Sequence, residues 1–316
     1  MKRDMGMKME FEAIMNKMRL SSRKTVAVAA AEDEYVLETV SQAYERGIAV
    51  PVLYGRRSEI EKLAEKSRLD ISRFELIDAG DVKKAALEAV SAVRRGEADI
   101  LMKGMIQTAD LLRAVLDKEK GLRTGRVLSH VGILNSPILN RVLLITDGAI
   151  IPYPDLSMKV QMIHHTVAAA EGLGISCPKV AVLAAVEVVN PEMPATVDAA
   201  LLTMMNRRGQ IKDCIVDGPL AMDLAISPEA AEHKKVRSEV AGKADILLFH
   251  NIEAANSTLK TFTIAGKSLF GGVVMGASAP VVLTSRSDSP QSKLYSIACA
   301  AMISDTLKGK GENLAV

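Results

Sequence analysis

Short apolar runs rich in Val, Ile and Leu alternate along this chain with longer stretches of helical period, and no other feature restricts the possible folds as strongly. This alternation is typical of βα units, in which a largely parallel sheet is covered by helices. The predicted strands are Thr25–Ala30, Ala49–Tyr54, Phe74–Ile77, Asp99–Lys103, Arg141–Thr146, Lys179–Ala184, Cys214–Asp217, Asp245–His250, Gly272–Met275 and Pro280–Thr284. The predicted helices include Glu34–Arg46, Ala85–Arg95, Thr108–Asp117, Ser157–Glu171 and Ala195–Asn206. The chain is therefore predicted to be an α/β protein.

The length of 316 residues predicts two lobes, because a typical domain has roughly 100–200 residues. No Pro/Gly/Ser-rich linker divides the chain, which favours lobes that are joined by strands. We predict a first α/β lobe of residues 1–128 plus 285–316 and a second of residues 129–284. Ligands of such folds bind beyond the carboxyl ends of the strands, so the chemistry is expected in a cleft between the lobes.

Charge and cysteine usage exclude several classes of function. The formal net charge is +2 and no block rich in Lys and Arg is present, which argues against nucleic-acid binding. The three cysteines, Cys177, Cys214 and Cys299, are far apart in apolar stretches, so neither a disulfide framework nor a metal site is predicted, and Cys214 is expected in the core. No run of 18 apolar residues occurs, and we expect a cytoplasmic protein without a membrane segment.

Several catalytic motifs are nearly present but incomplete. Gly266-Lys267-Ser268 would end a phosphate-binding loop, but Thr261 stands where that motif needs its first glycine. Gly276-Ala277-Ser278-Ala279 would form a nucleophile elbow, but Pro280 occupies the last position. The adjacent pair His164-His165 points in directions about 100° apart on a helix, so we interpret it as structural instead of metal-binding.

A polar cluster follows the last predicted strand. Pro280–Thr284 is followed by Ser285, Arg286, Ser287, Asp288 and Ser289, and a helical pattern begins near Gln291. Polar side chains at the carboxyl end of a strand face the ligand-binding side of an α/β sheet, and the free amides of a helix N-terminus suit an anion. Simple capping of the helix explains the same residue types, and both interpretations stay open.

At this point the chain resembles the phosphate acetyl/butyryltransferase family, and its butyryltransferase branch more than its acetyltransferase branch. The resemblance extends over most of the chain, from Glu32-Asp33 to the final helix. The matching stretches are Thr108–Arg113, Val216–Leu220 with Asp223, Val240–Asp245, Asn256–Lys260 and Pro280–Asp288. Any one of them is a weak signal, whereas their order and spacing together are specific.

The resemblance implies the fold, the substrates and part of the site. The implied fold has two α/β/α lobes of the isocitrate/isopropylmalate dehydrogenase type, with mostly parallel sheets and an interlobe cleft. The implied protein is a homodimer or a higher homo-oligomer that acts on acyl-CoA and inorganic phosphate, with coenzyme A as substrate and with neither a metal nor a permanently bound cofactor. Ser285 and Arg286 fall on the family's active-site pair, and Arg113 falls on an arginine associated with phosphate or CoA binding.

Acyl transfer to phosphate requires arginine side chains and a carboxylate in specific roles. The planar guanidinium of Arg286 or Arg113 binds phosphate oxygens bidentately and offsets the charge that develops on the carbonyl oxygen. In the reverse direction the CoA thiol must lose a proton, for which a carboxylate would serve. The aspartate that does so in the acetyltransferase branch falls on Ser292 here, so Asp288 is the nearest candidate base.

Further candidates have equally good structural interpretations. Lys103 ends a predicted strand and is a candidate phosphate ligand, although lysines at strand ends are common. Asn256, Ser257, Thr258 and Lys260 are interpreted as a polar helix start for anion or pantetheine contacts, with capping as the alternative. Asp217 and Asp223 either orient groups of the site or occupy a loop.

Three other functions are alternatives to that of a butyryl- or branched-chain phosphate acyltransferase. Phosphate acetyltransferase is the first alternative, because pocket depth sets chain length and its lining is not visible in the sequence. An NAD(P)-dependent decarboxylating dehydrogenase would need a cluster of metal-binding aspartates, which is not found. A catalytically silent sensor of CoA esters is favoured by the missing aspartate at Ser292 and disfavoured by the intact pair Ser285-Arg286.

Overall fold

The computed structural model describes residues 23–284 and 288–309. Its strands are β1 (Lys24–Ala29), β2 (Ala49–Gly55), β3 (Glu75–Asp78), β4 (Ile100–Lys103), β5 (Ser129–Ser136), β6 (Arg141–Thr146), β7 (Lys179–Leu183), β8 (Ile215–Leu220), β9 (Ile246–Leu248), β10 (Leu269–Met275) and β11 (Val281–Val282). Its helices are α1 (Glu34–Glu45), α2 (Arg57–Lys66), α3 (Val82–Arg94), α4 (Thr108–Val115), α5 (Leu156–Gly172), α6 (Pro194–Arg207), α7 (Met222–Ile226), α8 (Pro228–His233), α9 (Ile252–Ile264) and α10 (Pro290–Gly309). The predicted α/β class is confirmed, with strands that pair mostly in parallel.

The chain folds into two compact units. The second unit comprises residues 127–269, and the described part of the first comprises residues 23–126 and those from 270 onwards. Residues 270–284 thus group with the first unit, because β11 pairs in parallel with β4, whereas the predicted lobes place them in the second. The lobe boundaries stay a prediction.

The first unit is a parallel sheet with one antiparallel edge. Its strand order is β3-β2-β1-β4-β11-β10, and only β10 pairs antiparallel to its neighbour. β1 is buried along nearly its whole length, as expected of a strand with helices on both faces. Asp33 and Asp81 cap α1 and α3 by accepting backbone N–H groups, which fixes where each helix leaves the carboxyl end of its strand.

The second unit has the strand order β5-β6-β9-β7-β8, with an antiparallel hairpin of β5 and β6 followed by parallel pairs. The sequence pattern does not predict β5, although all residues of this strand are buried. Its sequence, SHVGILNS, has polar residues at both ends, so it lacks the apolar run of a buried strand. The structure accommodates these residues because the Ser129 hydroxyl lies 2.8 Å from Nδ1 of His165.

The cysteines give a direct test of this fold. Cys177 is exposed, whereas burial raises the pKa of both Cys214 and Cys299 to about 12. Because the thiolate is the reacting species, we expect one fast-reacting thiol per native chain and three after denaturation in a titration with a thiol reagent. Cys177→Ser should abolish the fast reaction. Rapid modification of that variant would contradict the buried position of the other two thiols.

Candidate functional site

Arg113 presents its guanidinium to solvent. It lies in the last turn of α4, whose buried residues are Leu111, Ala114 and Val115, and its side chain is 75% exposed. Asp110, three residues earlier, forms an ion pair with it. An exposed pair of this kind contributes only about 0–1 kcal/mol, so it would yield readily to an anionic ligand.

Lys103 lies at the carboxyl edge of the first unit's strands, as predicted from its place after an apolar run. Its Nζ is 3.4 Å from the carbonyl oxygen of Gly104. Gly104 approaches β1 so closely that a Cβ atom there would lie 2.0 Å from the carbonyl oxygen of Ala30. Only glycine fits at this position, and it holds the ends of β1 and β4 together beneath the lysine.

The pair Glu32-Asp33 has local structural roles that the sequence resemblance did not reveal. Asp33 Oδ1 accepts from the backbone N–H of Val36 at 2.9 Å, which caps α1. The buried carboxylate of Glu32 accepts from the backbone N–H of Arg56 at 2.9 Å and from its Nε at 3.2 Å. These bonds tie the carboxyl end of β1 to that of β2.

Ser285 and Arg286, the predicted active-site pair, lie outside the described residues. Asp288 is half-buried and comes just before α10. The Ser289 hydroxyl accepts from the backbone N–H of Ser292 at 3.1 Å, which confirms that Ser289 caps this helix. The Ser292 hydroxyl lies 3.2 Å from that of Ser289, so the position expected to hold a base is part of the cap.

The interpretation of Asn256, Ser257, Thr258 and Lys260 as a helix start is wrong. α9 begins four residues earlier, and Asn251 caps it by accepting from the N–H of Ala254 at 3.0 Å. The backbone amides of the four predicted residues therefore lie within the helix and are not free for an anion. Their side chains alone are available, and Nδ2 of Asn256 already donates to the carbonyl oxygen of Gly148 at 2.9 Å.

Asp223 takes part in an exposed ion-pair network. Its Oδ2 lies 3.5 Å from Nζ of Lys234, which also contacts Oε1 of Glu187 at 3.1 Å. The hydrogen bond with Glu187 is the main cause that raises the pKa of Lys234. Asp217 lies half-buried within β8.

A buried carboxylate organises the carboxyl end of β6. Asp147 is 1% exposed and directly follows that strand. Its Oδ2 accepts from the N–H of His130 at 2.8 Å, and its Oδ1 accepts from those of Ala149 and Ile150 at 2.8 and 2.9 Å. Three charge-assisted bonds to the backbone fix the loop that leads away from the strand.

A cluster that sequence reasoning missed lies near the carboxyl ends of β6, β7 and β9. The ammonium of Lys159 donates to Oδ2 of Asp198 at 2.5 Å and lies 2.9 Å from Nδ1 of His250. These residues lie in the first turn of α5, in the second turn of α6 and two residues after β9, respectively. Their separation in sequence leaves no local motif, so only the tertiary structure brings them together.

Burial and charge set the protonation of this cluster. The Lys159 side chain is 2% exposed, that of Asp198 is 22% exposed and that of His250 is 37% exposed. Burial lowers the pKa of His250, the Lys159 ammonium acts in the same direction, and the Asp198 carboxylate opposes both. The imidazole is therefore neutral at pH 7, beside the ion pair of the buried Lys159 and the half-buried Asp198.

No group of three His, Cys, Asp or Glu side chains that suits a metal ion occurs among residues 23–284 and 288–309. His165, which was interpreted as structural, is indeed buried against Ser129. Nor does any helix in the described part of the chain have the length and hydropathy to cross a bilayer.

The fold defines an α/β protein with a mostly parallel sheet, and comparison with known proteins gives the family. A family described as "Phosphate acetyl/butaryl transferase" matches residues 9–88 and 79–301. Phosphate butyryltransferase of Clostridium acetobutylicum is 50% identical over 293 residues, which are 93% of this chain and 97% of that protein. Phosphate acetyltransferase of Thermotoga maritima is 46% identical over 279 residues, or 88% of this chain and 95% of that protein.

A solved structure agrees with these relatives. The branched-chain phosphotransacylase from Enterococcus faecalis V583 superposes with a TM-score of 0.79 at 33% identity and covers 89% of this chain and 99% of its own. The chain belongs to the phosphate acetyl/butyryltransferase family, which confirms the resemblance seen in the sequence.

Proposed function

We propose that this protein reversibly converts a short-chain acyl-CoA and inorganic phosphate to an acyl phosphate and CoA, with butyryl or a branched chain as the preferred acyl group. The observation that carries the proposal is 50% identity to a phosphate butyryltransferase across 93% of the chain. The likeness to a branched-chain phosphotransacylase supports the same acyl size. Acetyl remains the first alternative, because an acetyltransferase is 46% identical.

The proposed reaction is a direct attack within a ternary complex. A phosphate oxygen attacks the thioester carbon, the carbonyl oxygen becomes negative, and the intermediate collapses with loss of the CoA thiolate, which then takes up a proton. Holding both substrates in place supplies roughly 7–11 kcal/mol, so no covalent enzyme intermediate is needed. This direct attack of phosphate on the thioester also needs neither a metal nor a bound cofactor.

Cationic groups are the central requirement of this scheme. We assign Arg286 to the phosphate and the developing oxyanion, with Ser285 beside it as a hydrogen-bond donor. The exposed guanidinium of Arg113 and the strand-end ammonium of Lys103 are assigned to phosphate or CoA. Asn256, Ser257, Thr258 and Lys260 are kept as CoA contacts through their side chains, since their backbone amides lie within α9.

Asp288 is proposed as the base that deprotonates the CoA thiol in the reverse direction. It is half-buried at the start of α10, and the hydroxyl of Ser292 cannot replace a carboxylate in this role. We further propose a cytoplasmic homodimer, with the three free cysteines consistent with a reducing compartment.

Acyl-chain preference is the test of this proposal. Purified protein supplied with CoA and with acetyl, propionyl, butyryl or isobutyryl phosphate should form thioester fastest from a four-carbon chain. Burial of two additional methylene groups contributes about 1.6 kcal/mol, so kcat/KM for butyryl phosphate should exceed that for acetyl phosphate by roughly 15-fold. Chromatographic detection of the acyl-CoA product measures each rate.

The other outcomes are equally informative. A highest kcat/KM with acetyl phosphate would make the protein an acetyltransferase of the same family. Calorimetric binding of CoA without turnover of any of the four acyl phosphates would refute the enzymatic proposal and identify a sensor of CoA esters. Reactions without CoA serve as the control for simple hydrolysis of the acyl phosphate.

A further inference from the structure

The cluster of Lys159, Asp198 and His250 combines two features that a purely structural ion pair does not need. A buried lysine is costly unless it is paired, and Asp198 already pairs it at 2.5 Å. The ammonium nevertheless makes a second contact, to Nδ1 of His250 at 2.9 Å. His250 is the most exposed of the three residues. The ion pair therefore contacts a side chain that is accessible to solvent.

The contact with Lys159 decides the tautomer of His250. An ammonium group has only donors, so Nδ1 of the ring must be the acceptor. The neutral ring then carries its proton on Nε2. No hydrogen bond from Nε2 is found in the described structure, and the ring is 37% exposed at the ligand-binding edge of the second unit's parallel strands. A donor of fixed orientation is thus open to a ligand.

Local charge indicates which ligand oxygen fits. The charges of Lys159 and Asp198 cancel each other, and the imidazole of His250 is neutral. A single neutral donor in such surroundings does not suit a phosphate dianion. It suits an uncharged carbonyl oxygen, and the pantetheine arm of CoA carries two amide carbonyl groups.

We propose that His250 donates a hydrogen bond from Nε2 to an amide carbonyl oxygen of the pantetheine arm of CoA, and that Lys159 and Asp198 are positioning residues that hold its ring in the required tautomer. The inference rests on the proposed function, because it takes CoA to be a substrate. It assigns to the second unit a binding role for residues that no motif in the sequence indicated.

Nitrogen NMR of the histidine rings tests the tautomer without any need for activity. In protein with ¹⁵N-labelled histidine at pH 7, the His250 ring should show a protonated Nε2 and an unprotonated Nδ1. Its signals are assigned by their loss in His250→Gln among the five histidines. A ring that is doubly protonated, or protonated on Nδ1, would overturn the proposal.

Ligand titrations in the same experiment distinguish the possible occupants. Addition of CoA, or of pantetheine alone, should shift the Nε2 resonance, whereas inorganic phosphate alone should not. A shift with phosphate but not with pantetheine would refute the assignment to an amide carbonyl. Because these titrations detect binding, they remain decisive even if the protein proves to have no transferase activity.

Variants separate binding from structure. His250→Ala should raise the KM for CoA about three- to tenfold with little change in kcat, as expected for one neutral hydrogen bond that acts equally in the ground and transition states. His250→Gln places an amide donor near the former Nε2 and should restore most of the affinity. Equal KM values for CoA in wild type and both variants would exclude the role.

The positioning role is tested with the buried charges removed together. The double variant Lys159→Met with Asp198→Asn leaves neither charge unpaired, so it avoids the penalty of breaking a buried ion pair. It should shift part of the His250 population to the Nδ1–H tautomer and raise the KM for CoA two- to fivefold. An unchanged NMR signature would show that Lys159 does not set the tautomer.

Discussion

Replacement of Arg286 with alanine is expected to lower kcat/KM for acyl transfer to phosphate by about 100- to 1,000-fold, the range found when one donor to a developing oxyanion is removed. The side chain is assigned to both the phosphate and the carbonyl oxygen, where it offsets the repulsion between two negative groups as they approach. This charge is greatest in the transition state, so kcat should fall together with kcat/KM. Initial rates with butyryl-CoA and phosphate measure the effect.

Two further variants show whether the loss reflects chemistry or folding. Arg286→Lys retains the positive charge without the bidentate fork and should recover only part of the activity. Arg208→Ala removes an exposed arginine at the end of α6 and should leave the rate unchanged. The free energy of unfolding of Arg286→Ala, measured by urea denaturation, should stay within about 0.5 kcal/mol of the wild-type value. A rate equal to that of wild type would remove Arg286 from the site.

Replacement of Asp147 with alanine should have the largest effect on stability. The variant removes the carboxylate that accepts from the backbone N–H groups of His130, Ala149 and Ile150. Asp147 itself is only 1% exposed. Of these three bonds, only the one from His130 is fully buried, and the other two are part-buried. An unsatisfied buried donor costs about 1–3 kcal/mol, so the free energy of unfolding should fall by about 2–4 kcal/mol. Urea denaturation followed by circular dichroism measures this change.

Asp155→Ala is the matched control for that measurement. Asp155 also accepts from a backbone N–H, that of Met158 at 2.8 Å, but it is exposed at the start of α5. Loss of such a cap costs about 0.5–2 kcal/mol. An equal loss in the free energy of unfolding for Asp147→Ala and Asp155→Ala would show that burial does not strengthen the contribution of the Asp147 bonds.

The sequence predicted the fold class and the position of ten strands because buried parallel strands leave a continuous apolar signature. Each predicted strand has a counterpart within the described residues, and the boundaries differ by a few residues. β5 escaped this reasoning because its polar residues are paired with partners such as His165 that lie far away in sequence. The polar residues from Asn256 onwards predict a start of α9 that is too late, because the helix begins at Ile252 and Asn251 caps it.

The candidate site was only partly accessible to the same reasoning. Motif order identified the family and with it Arg113, and the apolar run before Lys103 identified that lysine as a strand end. The structure places Arg113 in α4 and Lys103 at the end of β4. Their joint action with Arg286 stays a prediction. The structure added Asp147, Lys159 and His250, whose importance depends on contacts and not on neighbouring residues.

The sequence by itself thus determined that this is an α/β chain of the phosphate acetyl/butyryltransferase family. Both the hydrophobic period and the order of the motifs are visible in the amino-acid sequence without a tertiary structure. Only the tertiary structure decided which polar side chains are buried and which partners they contact. A lysine such as Lys159 is stable in the interior only beside partners from other helices and strands, and folding alone brings Asp198 and His250 within reach of it.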